Sequence, residues 1–167
     1  MTTVLRILRL IALSTWVGSL IFFGFVAKAA FSTLPDAHSA GAVVREALIS
    51  LHHLGLVGGM IYFFITLGLL TTQGDTHPAR AGELALIIAM LGLTLYSQYS
   101  ILPRMEADRA ALGGDVTTSS TDNPTRVHFE RLHSLSVKVE GAILIEGLLL
   151  LVLAPVHGRD DFDRFAG

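Results

Sequence analysis

Charge is absent from three long stretches of the chain and thin in a fourth. Residues 10–27 lie between Arg9 and Lys28, 47–74 between Glu46 and Asp75, and 84–103 between Glu83 and Arg104. The fourth stretch, 132–154, holds only Lys138, Glu140 and Glu146 as formal charges. A bilayer core of about 30 Å needs roughly 20 apolar residues in a helix. The pattern predicts membrane-spanning helices over 4–31, 43–71, 79–103 and 124–154. That is an all-α, integral membrane four-helix bundle. The spans use most of 1–167, so one membrane domain is expected and no second core. Pro35 and Gly41 mark the first loop, and "TTQGDTHP" stops the second helix. "GGDVTTSSTDNP" is polar and rich in Gly, Ser and Thr, and predicts a mobile loop over 113–123. Asp122 or Asn123 is placed to cap the last helix, with Pro124 in its first turn. Pro155 and Gly158 end that helix on this reading and leave a polar tail over 156–167.

Composition agrees. Hydrophobic residues make up 51% of the chain and charged ones 16%, against about 25% charged in a soluble domain. Net charge is −2 and the arginines are scattered, which points away from nucleic acid. Without cysteine there are no thiolate metal sites, iron–sulfur clusters or dithiol redox chemistry. The run after Arg9 exceeds the 7–15 or so residues of a signal-peptide core, so it reads as a span. Basic residues divide almost evenly between the two ends of the spans. Arg6 and Arg9 ahead of the first span favour cytoplasmic termini, in a bacterial inner membrane.

Small residues recur at the spacing that lets helices approach closely in lipid: Ser14 and Gly18, Gly55 and Gly59, and Ala85, Ala89 and Gly92. Packing is their expected role.

The polar residues cluster toward the end of the spans opposite the termini, the loop end. His52 lies seven residues past Arg45, and His133 seven past Arg126. At 1.5 Å per residue both are about 10 Å along their helices. Tyr96, Gln98 and Tyr99 fall at the same level, and Lys28 ends the first helix there. On the last helix Glu130, His133, Val137 and Glu140 lie within about 80° of one another, on one face, with Lys138 on the far side. Apart from Glu146, the other half of the spans reads as featureless. These spacings predict a water-accessible His/Glu/Tyr pocket in the loop-end leaflet. In it Glu140 hydrogen-bonds to Tyr96, Tyr99 or a residue of the first two helices.

Ionisable residues inside a membrane are functional candidates. His52 or His53 with His133 sits at a common depth, as axial ligands to haem b would. Only one of His52 and His53 faces the core, because they are about 100° apart. A single metal ion held by His52, His133 and Glu130 is the second cofactor candidate. Glu130-x-x-His133 has half of a di-iron motif, but no second copy exists. Glu140, Glu146, Lys138 and Tyr99 also suit an ion or small-molecule path. No nucleotide loop, zinc-protease or nucleophile-elbow motif is present, so no catalytic residue is assigned. The two function classes are a cofactor- or metal-binding redox or transport protein, and a structural subunit without chemistry of its own. The second would contact other membrane subunits or another copy of itself.

"LSTWVGSLIFFGFVAKAAFSTLP", "YSQYSILPRM" and "FERLHSLSVKVEG" resemble the transmembrane-protein-205-like family, largely a domain of unknown function. The resemblance rests on Trp16 and Gly18, on Tyr99 and Pro103, and on Phe129, His133 and Ser136. It implies a four-helix membrane domain. That family is similar to copper-resistance-D-type proteins and to a membrane protoporphyrinogen oxidase that binds haem b. Those relatives have a histidine about seven residues before the Trp, where this chain has Arg9. Lys138 stands where the family often has an asparagine.

Overall fold

The computed structural model describes residues 2–73 and 78–165, with side chains described over 3–71 and 80–154. Every long element is helical: α1 (Thr2–Thr33), α2 (Ala37–Gln73), α3 (Pro78–Tyr96), α4 (Leu102–Ala111) and α5 (Pro124–Phe165). A π-helical turn, Ser97–Ile101, joins α3 to α4 without a break, and a 3₁₀ turn, Val116–Thr118, lies in the loop before α5. No strand occurs among the described residues. Thr3–Thr33, Ala37–Thr71 and Arg80–Ala111 are long and apolar enough to cross a membrane. The apolar stretch of α5 carries Lys138, Glu140 and Glu146.

Packing follows a ring: α1 lies against α2, α2 against α3, α3 against α5, and α5 against α1. Buried positions recur every three or four residues, as one inward stripe per helix requires. On α5 the stripe is Leu132, Ser136, Val139, Ile143, Gly147, Leu150 and Ala154. On α1 it is Arg9, Leu13, Trp16, Val17 and Leu20. The outward faces are apolar as well, with Phe22, Phe25, Val57, Phe64, Ile145 and Val152 all exposed. A helix apolar on every side suits lipid.

The small residues fall into two groups. Gly55 and Gly59 seat the Trp16 indole: a Cβ at Gly55 would fall on the ring, and one at Gly59 would lie 2.7 Å from Trp16 Cζ3 and from Leu91 Cδ2. Gly147, outside the expected set, does the same for Val17, whose Cγ2 a Cβ would approach to 2.6 Å. Ser14, Gly18, Ala85, Ala89 and Gly92 instead face outward.

Helix ends differ from expectation in three places. α2 starts at Ala37, not near 43, because Asp36 caps it by accepting from the Ser39 backbone N–H at 2.7 Å. Gly41 is therefore inside the helix. The third span does not stop at Pro103. Proline lacks the N–H and crowds the carbonyl four residues back, and the π turn directly before it gives the room. α5 starts as the sequence suggested, with Asn123 Oδ1 accepting from Thr125 N at 2.9 Å. It runs on to Phe165 through Pro155 and Gly158, so the helix replaces most of the expected polar tail. Hydrogen bonds run within the loop over 113–123 and from it to α2 and α5. Asp115 accepts from Thr117 N, His38 Nδ1 meets Gly114 O at 2.8 Å, and Arg126 Nη1 donates to Ser119 O at 2.6 Å.

Candidate functional site

Two polar centres lie inside the helices, one toward each end. The first is the His52–Glu140 couple. His52 is almost wholly buried, and both its ring nitrogens are engaged. Nδ1 lies 2.7 Å from Gln98 Oε1 and Nε2 lies 2.8 Å from Glu140 Oε1. The same Glu140 oxygen accepts from the Ser97 hydroxyl at 3.0 Å. The centre thus draws on α2, α5 and the π turn. That turn explains why Ser97 and Gln98 face inward. One extra residue in a turn rotates the following side chains relative to an α-helical wheel. Tyr96 and Tyr99, expected in the pocket, are 43% and 65% exposed. Glu140 meets helix 2 as expected, through His52, and its partner on the third span is Ser97 rather than a tyrosine. His53, about 100° round the helix, is exposed.

Beside this couple a cavity of about 630 Å³ opens between α1, α2, α4 and α5. Small-molecule sites usually measure about 300–1,000 Å³. Its inner wall is apolar, with Leu20, Phe23, Gly24, Ala27, Leu48, Gly141 and Leu144. Glu130, His133, Val137 and Glu140, the face read from the helical wheel, all line it. The charged groups gather at its loop end. Glu106 receives Arg45 at 2.8 Å and Arg109 at 2.7 Å, and Arg126 meets Glu130 at 3.0 Å. Hydrogen bonds from the backbone N–H and hydroxyl of Ser39 hold Asp36 below the usual carboxylate range, and those from the hydroxyl and N–H of Thr117 do so for Asp115. Lys138 points away from the cavity and is exposed.

The second centre corrects the expectation of a featureless far half. Arg9 and Glu83, read as flanking charges, are 5% and 0% exposed. Arg9 Nη1 meets Glu83 Oε2 at 3.0 Å and Thr66 Oγ1 at 3.3 Å, and Nη2 donates to Ala154 O at 3.3 Å. Tyr62 donates to Glu83 at 3.2 Å, and its ring centroid lies 5.5 Å from the guanidinium carbon. The four members of the ring, α1, α2, α3 and α5, therefore meet at one guanidinium. A linear count of apolar runs treats each charge as a boundary and misses that opposite charges pair inside.

The cofactor candidates fare differently from the cavity. Among the described residues no group of three or more His, Asp or Glu side chains stands together to hold a metal ion. His133 and Glu130 are exposed on the cavity wall, Glu130 is taken up by Arg126, and His52 is turned to Gln98 and Glu140. A haem held between His52 and His133 would have to displace Gln98 or Glu140 from a His52 ring nitrogen.

Residues 11–111, more than half of the chain, match the family model described as Domain of unknown function (DUF4149). The chain belongs to the DUF4149 family. The DUF4149 match spans most of α1 and all of α2 to α4, including His52, Ser97 and Gln98, and ends before α5, which brings Glu140. No curated protein and no solved structure matches the chain.

Proposed function

We propose that the four long helical rods form a four-helix bundle across the membrane and that the bundle binds an amphipathic small molecule in its cavity. The observation that carries this reading is the gradient along the cavity wall. Arginine–glutamate pairs stand at the loop end, and an apolar trough runs inward from them past Glu140. A molecule with a polar head and an apolar body matches such a wall, its head at the loop-end pairs or at Glu140 and its body along the trough. The resemblance to the transmembrane-protein-205-like family, and through it to copper-resistance-D-type proteins, enters this reading for the fold only. Arg6 and Arg9 ahead of the first span support cytoplasmic termini in a bacterial inner membrane. Ligand binding, carriage or presentation at the bilayer is the activity, and no covalent chemistry is assigned.

The test fills the trough. A Cβ at Gly24 or Gly141 would meet no heavy atom within 4 Å, and both glycines line the cavity. Gly24→Phe and Gly141→Phe therefore keep the helix contacts while occupying the space. Calorimetric titration of the maltoside-solubilised chain with 1-decanol gives saturable binding in the parent chain and a marked loss in both variants. Equal uptake by all three, or none by the parent, overturns the reading. No binding at all would leave the chain a packing subunit.

A further inference from the structure

This inference rests on the cavity reading above and assigns its ligand a charge. Glu140 lies seven residues deeper along α5 than His133, farther from the loop end than any other ionisable side chain on the cavity wall. Its Oε1 is occupied by His52 and Ser97. Its Oε2 is buried and has no hydrogen-bond partner among the described residues. Burying a carboxylate oxygen without a donor is costly. A ligand that brings an N–H to it removes that cost.

The surroundings limit what else reaches Oε2. α1 gives the wall no ionisable side chain, only residues such as Leu20, Phe23 and Ala27. The π turn gives Ser97 and Gln98, which carry no charge. α2 gives His52 beside the carboxylate, and Arg45 and His38 nearer the loop, where Arg45 is held by Glu106 and His38 by Gly114. α4 gives Glu106 and Arg109, paired with each other. α5 gives Arg126 and Glu130, also paired, and His133 two turns nearer the loop. Asp115 caps its own turn. The basic group in contact with Glu140 is therefore His52.

With the Gln98 amide oxygen toward Nδ1, His52 donates there. Two acceptors do not face each other at 2.8 Å, so this arrangement calls for a second proton between Nε2 and Glu140 Oε1. The couple is neutral as a whole, either as imidazolium with carboxylate or as imidazole with carboxylic acid. We propose that the cavity takes lipophilic amines in their protonated form, the ammonium N–H donating to Glu140 Oε2, in exchange for the proton that His52 and Glu140 share. After exchange His52 is neutral with its one proton on Nε2, donated to Glu140 Oε1. Gln98 turns its amide so that its N–H donates to Nδ1. The couple then carries −1, the ammonium +1, and one proton leaves through the loop-end mouth. No other bond is made or broken.

The experiment uses decylammonium and 1-decanol with the full chain in maltoside micelles. Calorimetry at one pH, in two buffers of different ionisation enthalpy, counts the protons. Decylammonium binding releases close to one proton per molecule bound, and decanol binding releases none. In Glu140→Gln the amide oxygen takes the Oε1 position and accepts from both the Ser97 hydroxyl and His52 Nε2–H, so the contacts between α2, α5 and the π turn are kept. The variant binds decylammonium at least about tenfold more weakly, the loss expected for one charge-assisted hydrogen bond, and releases no proton. Decylammonium that binds without proton release, or equally well to Glu140→Gln, while decanol still binds, overturns the exchange and leaves the cavity reading standing. Failure of both probes removes both.

Discussion

Gly55→Ala is the smallest change that strains the α1–α2 contact. The added Cβ falls on the Trp16 indole, and Trp16 is 1% exposed, so the ring has nowhere to go. Adding one carbon to a packed interior costs about 1–3 kcal/mol. Alanine in place of glycine returns about 0.5–1 kcal/mol of helix stability. The net is a loss of up to about 2.5 kcal/mol, which for a chain of this size lowers the midpoint by a few degrees, at about 2–4 °C per kcal/mol. Gly92→Ala is the control. Nothing lies within 4 Å of its Cβ, and the helix gain alone raises its midpoint slightly. Trp16 is the single tryptophan, so thermal unfolding in detergent followed by its emission reads both the midpoint and the local disturbance. Gly55→Ala melting at or above Gly92→Ala would refute the seating of Trp16 on Gly55.

Arg9→Met should destabilise by about 3 kcal/mol, because it takes a buried charge partner from Glu83, and Arg9→Met with Glu83→Leu should recover most of the loss. A double-mutant cycle of thermal midpoints in detergent checks this, and additive losses would contradict the pairing. The Asp36 carboxyl is held below its ordinary 3.8 by Ser39. A depressed value means the cap contributes fully above the unfolded carboxylate range and is lost as pH falls through the folded value. Acid titration followed by carboxyl NMR should show a low midpoint for Asp36 that rises only part of the way in Ser39→Ala, which removes the hydroxyl and keeps the backbone N–H. A normal midpoint in the parent chain would contradict the cap.

Much of the fold was legible because three spans are long, apolar and bounded by breakers, and because a helix face follows from residue number alone. The grouping of Glu130, His133, Val137 and Glu140 on one wall came from the wheel. Three things were hidden, each for a physical reason. The π turn at Ser97–Ile101 breaks the wheel, so Gln98 and Ser97 replaced Tyr96 and Tyr99 beside Glu140. Pro103 inside a continuing helix is its signal in the sequence. Arg9 and Glu83 look like membrane boundaries in the sequence because pairing across 74 residues leaves no local trace. Gly41 points to a later helix start and so hides Asp36 as the cap.

Where a bound amphiphile lies decides the account. A decanol analogue carrying an alkyl diazirine, photolysed on the detergent-purified chain and mapped by peptide mass spectrometry, reports its contacts directly. The cavity account predicts labels concentrated at Leu20, Phe23, Leu48 and Leu144, and their loss in Gly141→Phe. Labels spread over the outward residues Phe22, Phe64 and Val152, unchanged in Gly141→Phe, would contradict it.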